Sequence, residues 1–105
     1  MASGAIAVDK LHDDALAFAV RDINPRAPTH LLIISREHIP SARELSAERG
    51  TLLARMHGIA YKLATELGIG ETGYRLTFNV GEDGGQTIYH LHLHVLGGRR
   101  LGPEG

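Results

Sequence analysis

The chain has 105 residues, 43% of them hydrophobic and 22% charged, with a formal net charge of -1, the profile of one ordinary globular domain with a modest core. That balance excludes a basic nucleic-acid stripe and a polybasic membrane anchor, and no run approaches the roughly 20 apolar residues of a membrane span. Cysteine is absent, which rules out disulfides and thiolate zinc sites, and the opening MASGAIAVDK lacks a signal peptide's apolar core, so a cytoplasmic protein is the expectation.

In chain order, residues 15–23 (ALAFAVRDI) form a short apolar run that stops at the turn signal Asn24-Pro25 and predict a strand. Residues 29–35 (THLLIIS) are too few for a helix and rich in Ile and Leu, which predicts a buried strand. Ser41 and Glu44 have the spacing of a capping box that opens a short helix. From Thr51 the apolar residues fall at Leu52, Leu53, Met56, Ile59, Ala60, Leu63, Ala64 and Leu67, helical spacing that predicts a helix over 51–67 with Gly68 or Gly70 as its stop. Residues 74–80 (YRLTFNV) alternate, with Tyr74, Leu76, Phe78 and Val80 on one side. The loop GEDGGQ follows, and then a strand over 87–96, so the last two strands read as an antiparallel hairpin. The order β-β-α-β-β predicts an α+β domain, an antiparallel sheet with a helix on one face.

The last strand, in the stretch IYHLHLHVLGG, carries three of the chain's seven histidines at every second position. Alternation puts His90, His92 and His94 on one face with Ile88 and Leu96, about 6.8 Å apart in succession, and leaves Tyr89, Leu91, Leu93 and Val95 to pack on the helix. Neighbouring imidazoles discourage one another from charging, so at least one stays neutral near pH 7. Two chemistries suit such a face. One is a metal site, which His30, His38 or a carboxylate would have to complete, because His90 and His94 stand roughly 13–14 Å apart on an extended strand. The other is nucleophilic catalysis, in which a neutral imidazole attacks phosphorus while its neighbours orient it and move protons. Glycines at 81, 84 and 85 in the preceding loop can turn backbone N–H groups towards an anion beside those imidazoles.

The stretch YHLHLHVLGGR resembles the motif His-φ-His-φ-His-φ-φ of the histidine triad (HIT) superfamily. RDINPRAPTHLLIISREHI and GYRLTFNVGEDGGQTIYHLHLHVLGGR are similar to its Hint branch, the purine nucleoside phosphoramidases, and SGAIA (residues 3–7) is similar to the end of that branch's lead-in. The resemblance implies a sheet of about five strands with one long helix on one face, continued across a homodimer that pairs through the helix and a strand edge. It implies a hydrolase of purine nucleoside 5′-phosphoramidates, with an AMP or GMP moiety in the substrate, working through a covalent nucleotidyl-histidine. Dinucleoside polyphosphates and acyl adenylates are alternative substrates, and a purine-nucleotide binding module with incidental turnover is an alternative role. His92 is then the nucleophile, His90 and His94 flank the phosphate, and His30, with His38 behind it, supports the array. Asp22 meets the ribose hydroxyls, and Val20, Ile23 and Phe18 line the base pocket. Asn79 lies on the phosphate and ribose side, and Gly85, Gln86 and Thr87 form the phosphate loop, with Thr where the family usually has Ser. No cofactor and no metal are implied, since the zinc of some relatives uses cysteine ligands, and neither nucleic acid nor membrane is a partner.

Overall fold

A computed structural model describes residues 10–103; the lead-in at residues 3–7 lies outside the described residues. Five antiparallel strands run β1 (His12–Asp13), β2 (Ala17–Arg21), β3 (Thr29–Ser35), β4 (Tyr74–Thr77) and β5 (His92–Gly97), in the spatial order β1-β2-β3-β5-β4. The long helix α1 (Gly50–Glu66) lies between β3 and β4 in sequence. This is the expected α+β arrangement.

Each element has a local cause. Asp14 makes the first turn: its Oδ1 accepts the N–H groups of Leu16 at 2.8 Å and Ala17 at 3.0 Å. The predicted first strand is therefore the shorter β2, and the two-residue β1 lies before the turn, outside the predicted span. Ser41 Oγ accepts the Arg43 N–H, but the cap opens only a single 3₁₀ turn over Ala42–Glu44. α1 begins one residue before the predicted start and buries Leu52, Met56, Ile59, Ala60, Leu63 and Ala64, whereas Leu53 stays 42% exposed. It stops where the spacing predicts. Gly68 turns left-handed at φ 80°, its N–H bonds back to Thr65, and the Ile69 N–H reaches the Ala64 carbonyl.

The last two strands depart most from expectation. They pair, but β4 ends at Thr77 and β5 begins only at His92, so the connection is far longer than six residues. Residues 86–91 are engaged elsewhere. Gln86 Nε2 donates to the carbonyls of Pro40 and Ile88, the Leu91 N–H bonds to Ile39, and the Ser35 N–H bonds to Leu91. Those contacts hold the segment against the bend after β3 and keep it out of the ladder. His90 is therefore not on the strand, and Tyr89, expected under the helix, is 51% exposed.

Strand alternation divides the sheet into two faces. Ala17, Ala19, Leu31, Ile33, Leu93 and Val95 face α1 and form the main core with Leu91, Met56, Ile59 and Leu63. Burying each large aliphatic side chain contributes roughly 1.5–3 kcal/mol, so this layer holds the sheet to the helix. On the opposite face Phe18, Val20, Leu32 and Ile34 make a second apolar cluster. No helix of the described residues is long and apolar enough to cross a membrane.

Candidate active site

The histidines gather on the face that α1 does not cover. Antiparallel register sets its side chains in rows across the strands. Phe18, Ile34 and His92 form one row, and Val20, Leu32, His94 and Thr77 form the next. His30, Leu96 and Arg75 follow, with Asp22 beside His30 on the extension of β2. Apolar side chains thus occupy the β2–β3 side, imidazoles stand in the middle, and polar groups occupy the β4 side.

Backbone partners assign the proton of each imidazole. His92 Nδ1 lies 2.7 Å from the His90 carbonyl oxygen. A carbonyl only accepts, so Nδ1 carries a proton, and in the neutral ring Nε2 keeps its lone pair. The Arg26 N–H donates to His30 Nδ1 at 3.1 Å, which places the His30 proton on Nε2, and that nitrogen donates to His94 Nδ1 at 3.0 Å. The proton of His94 is thereby left on its Nε2. His90 Nε2 donates to the Ser35 carbonyl at 2.7 Å, and His90 Nδ1 faces His38 Nδ1 at 3.1 Å. Among the described residues, two ring nitrogens of the triad have no protein partner: the His92 Nε2 lone pair and the His94 Nε2–H. Their rings stand 5.0 Å apart between centroids.

The ring of His90 is engaged with Ser35 and His38, and its carbonyl orients the His92 ring. His38 sits behind His90, not behind His30. Arg26 and Ser35 act through backbone atoms, a role that side-chain chemistry does not advertise, although Arg26 stands four residues before His30 in PRAPTH.

Burial sets the charge. It is the first cause that pushes His94 down to about 4, with His92, His30 and Arg26 adding to it against the pull of Asp22. His30 is also held below the ordinary histidine value, first by burial and then by Arg26, with Asp22 opposing. Both rings are neutral at pH 7, as the assigned tautomers require.

A HIT domain model matches residues 3–101. The chain belongs to the HIT domain family. It is 50% identical to the purine nucleoside phosphoramidase of Escherichia coli K12 over 95 residues, which cover 90% of this chain and 80% of that relative. A crystal structure of a HIT family hydrolase from Legionella pneumophila Philadelphia 1 superposes with a TM-score of 0.91 at 47% identity, covering 95% of this chain and 89% of that one. A histidine triad protein from Clostridium difficile gives a TM-score of 0.92 at 35% identity, over 99% and 90% of the two chains.

In this HIT domain the remaining expected residues fall in two groups. Asp22 Oδ2 is 3.4 Å from His30 Nε2, and its Oδ1 accepts the Asn24 N–H. Val20 and Phe18 are buried in the open-face cluster, while Ile23 beyond them is 87% exposed. The second group is the glycine loop, which is wound up internally. The Gly85 N–H bonds to Glu82 and the Gln86 N–H to Gly81. Gln86 is buried, its Oε1 accepting from Gly81 while its amide holds Pro40 and Ile88. Asn79 Nδ2 donates to the Gly84 carbonyl at 2.8 Å. A Cβ at Gly84 would strike the Val80 backbone, and Gly85 sits at φ 83°, so both glycines make the tight turn possible. The expected cradle of several free N–H groups is thus not formed by Gly85 and Gln86. Thr87, exposed at the end of the turn, has no such commitments.

Among the described residues one group could hold a metal ion: Asp22, His30 and His94, each with a ligand atom within 4.8 Å of the others. It includes neither His92 nor His90. In this arrangement His30 Nε2 and His94 Nδ1 are joined to each other by a hydrogen bond.

Proposed function

We propose that this protein is a hydrolase of purine nucleoside 5′-phosphoramidates, acting through a covalent nucleotidyl intermediate on His92. The observation that carries the reading is the Nδ1–H bond from His92 to the His90 carbonyl, which leaves Nε2 as an open lone pair beside a hydrogen-bond donor. The likeness to the E. coli purine nucleoside phosphoramidase supports the substrate class.

The purine and ribose of an AMP or GMP moiety lie on the apolar side, against Phe18, Val20 and Leu32 with Ile23 as an outer wall. Asp22 accepts from the ribose hydroxyls. The α-phosphorus then faces His92. Nε2 attacks, the P–Nε2 bond forms as the P–N bond breaks, and the substrate nitrogen, protonated from solvent, leaves as the free amine. The modified imidazole is cationic, and its Nδ1–H bond to the His90 carbonyl strengthens as that charge develops. His94 is too deeply depressed to serve as a proton reservoir at pH 7, so its Nε2–H donates a hydrogen bond to the phosphoryl oxygen. Thr87 and Asn79 border the phosphate, and Gly85 and Gln86 shape the turn that presents Thr87. Water then attacks phosphorus, loses a proton to solvent, releases the nucleoside monophosphate and restores the His92 lone pair. No cofactor enters.

We also infer that residues 1–105 work as a single domain in a cytoplasmic homodimer. Support comes from β4, an edge strand open to pairing, and from Leu53 and Tyr61, which α1 leaves exposed. Sedimentation of the purified protein tests this; a monomer at micromolar concentration contradicts it.

Incubation with a fluorogenic adenosine phosphoramidate in excess chelator tests the main reading. Activity should persist and vanish in His92→Ala, and mass spectrometry of a quenched reaction should find the nucleotide on His92. Label on Thr87, or activity restored only by zinc, contradicts it.

A further inference from the structure

The histidine ridge has two different sides. The apolar cluster of Phe18, Val20, Leu32 and Ile34 lies on one. On the other, a cavity of about 470 Å³ opens over β4 and β5. Its polar walls are the side chains of Arg26, Arg75, Thr77 and Asn79, and its edge is formed by His30 and His94. Among the described residues no carboxylate lines it. Asp22, the nearest acid to these histidines, stands at the other edge of the sheet row, on the β2 side of His30. The Arg26 guanidinium has no hydrogen-bond or ion-pair partner among the described residues, whereas Arg36 pairs with Asp13 and Arg49 with Glu37. Among the described residues Arg75 meets only the Gly102 carbonyl. Two guanidinium groups, a hydroxyl and an amide, with no acid among the described lining residues, make a wall suited to a negatively charged group.

An in-line displacement expels the substrate nitrogen opposite His92 Nε2, and with the nucleoside on the apolar side the substituent on that nitrogen extends over the other. We propose that the cavity receives the leaving group and selects one that bears a negative charge, a carboxylate or a phosphate, with Arg26 and Arg75 as its specificity-determining cations. The inference rests on the phosphoramidase reading and narrows it. The preferred substrates are nucleotides joined through nitrogen to an acidic amine, such as an amino acid, in place of neutral or basic amines. The bond broken remains P–N, and the arginines take no part in proton transfer.

Three adenosine 5′-phosphoramidates test it: those of glycine, of glycinamide, its neutral counterpart, and of aminomethylphosphonate. The glycine or the phosphonate compound should exceed glycinamide in kcat/KM by roughly five- to tenfold, the size expected of charge-assisted contacts at a partly solvated site. The difference should lie mainly in KM, and the better of the two acids identifies the anion. The ratio should fall towards one in R26Q/R75Q. In the unaltered protein it should shrink as salt rises from low to physiological strength, a check that needs no variant to fold. Equal rates for acid and amide, or a preference for glycinamide, would overturn the inference while leaving the phosphoramidase reading intact. If none of the three is cleaved, that reading fails, and calorimetric binding of the same compounds still decides the inference. Tighter binding of the acids that disappears in R26Q/R75Q supports it, and equal binding of acid and amide refutes it.

Discussion

The two faces of the sheet are built from alternate residues of the same strands, yet they obey different rules. Beneath α1, Ala17, Ala19, Leu31, Ile33, Leu93 and Val95 form a close-packed layer of one chemical kind. On the open face, Phe18, Val20 and Leu32 give way across the strands to His94 and then to Thr77 and Arg75. The covered face holds the backbone still, and that stillness fixes the imidazoles, because carbonyls and N–H groups set their protons. Stability and chemistry are thus separated by one residue along the chain.

Substitutions on the two faces should have separable effects. The largest is expected at His92: His92→Ala should lower kcat/KM for an adenosine phosphoramidate by at least about 10⁴-fold, with the melting temperature little changed. Next comes the covered face, where Ile33→Ala should cost roughly 2–5 kcal/mol in urea unfolding while the folded fraction keeps its kcat. A loss of kcat that exceeds the loss of folded protein would break the separation.

The third effect links the faces through pH. His94 takes a proton near 6.5 when unfolded but resists it down to about 4 when folded. The unfolded state therefore binds more protons between those values, so stability falls as pH drops through that window. The loss due to His94 should be on the order of 3 kcal/mol by pH 4, with His30 adding in the same direction, and His94→Asn should flatten the curve. A mutant with an unchanged pH profile would show that the ring is not held neutral by burial.

The smallest effect belongs to the β1–β2 turn. Asp14 is drawn down to about 2, because hydrogen bonds from His12 and from the Leu16 and Ala17 N–H groups outweigh the burial that acts against them. Its contribution is present above the ordinary carboxylate value and lost as pH falls through the folded one. Asp14→Asn should cost about 1 kcal/mol at neutral pH, read by thermal unfolding, with no effect on turnover.

Much of this was legible in the residues. THLLIIS is strand β3 without a residue's error, and the apolar spacing from Leu52 to Leu67 locates α1 to within one residue, because both patterns report burial directly. β1 was not legible, since two residues, His12 and Asp13, are too few to show any period. The start of β5 was missed for a different reason. The alternation of YHLHLHVL continues through His90, but Gln86 and Leu91 bond to residues near Ile39 and draw that part off the ladder. The same limit hid what the His90 ring does: Ser35 and His38, which hold it, are more than fifty positions away in the chain. Periodicity identifies the face a side chain shares. It does not identify which distant carbonyl meets a ring nitrogen.

The most direct trial of the account is to see the protons themselves. Long-range ¹H–¹⁵N correlation spectra of the imidazoles at pH 7 should show His92 as the neutral form protonated at Nδ1 and His94 as the neutral form protonated at Nε2. A His92 ring protonated at Nε2, or carrying both protons, would leave no electron pair for phosphorus and would contradict the mechanism.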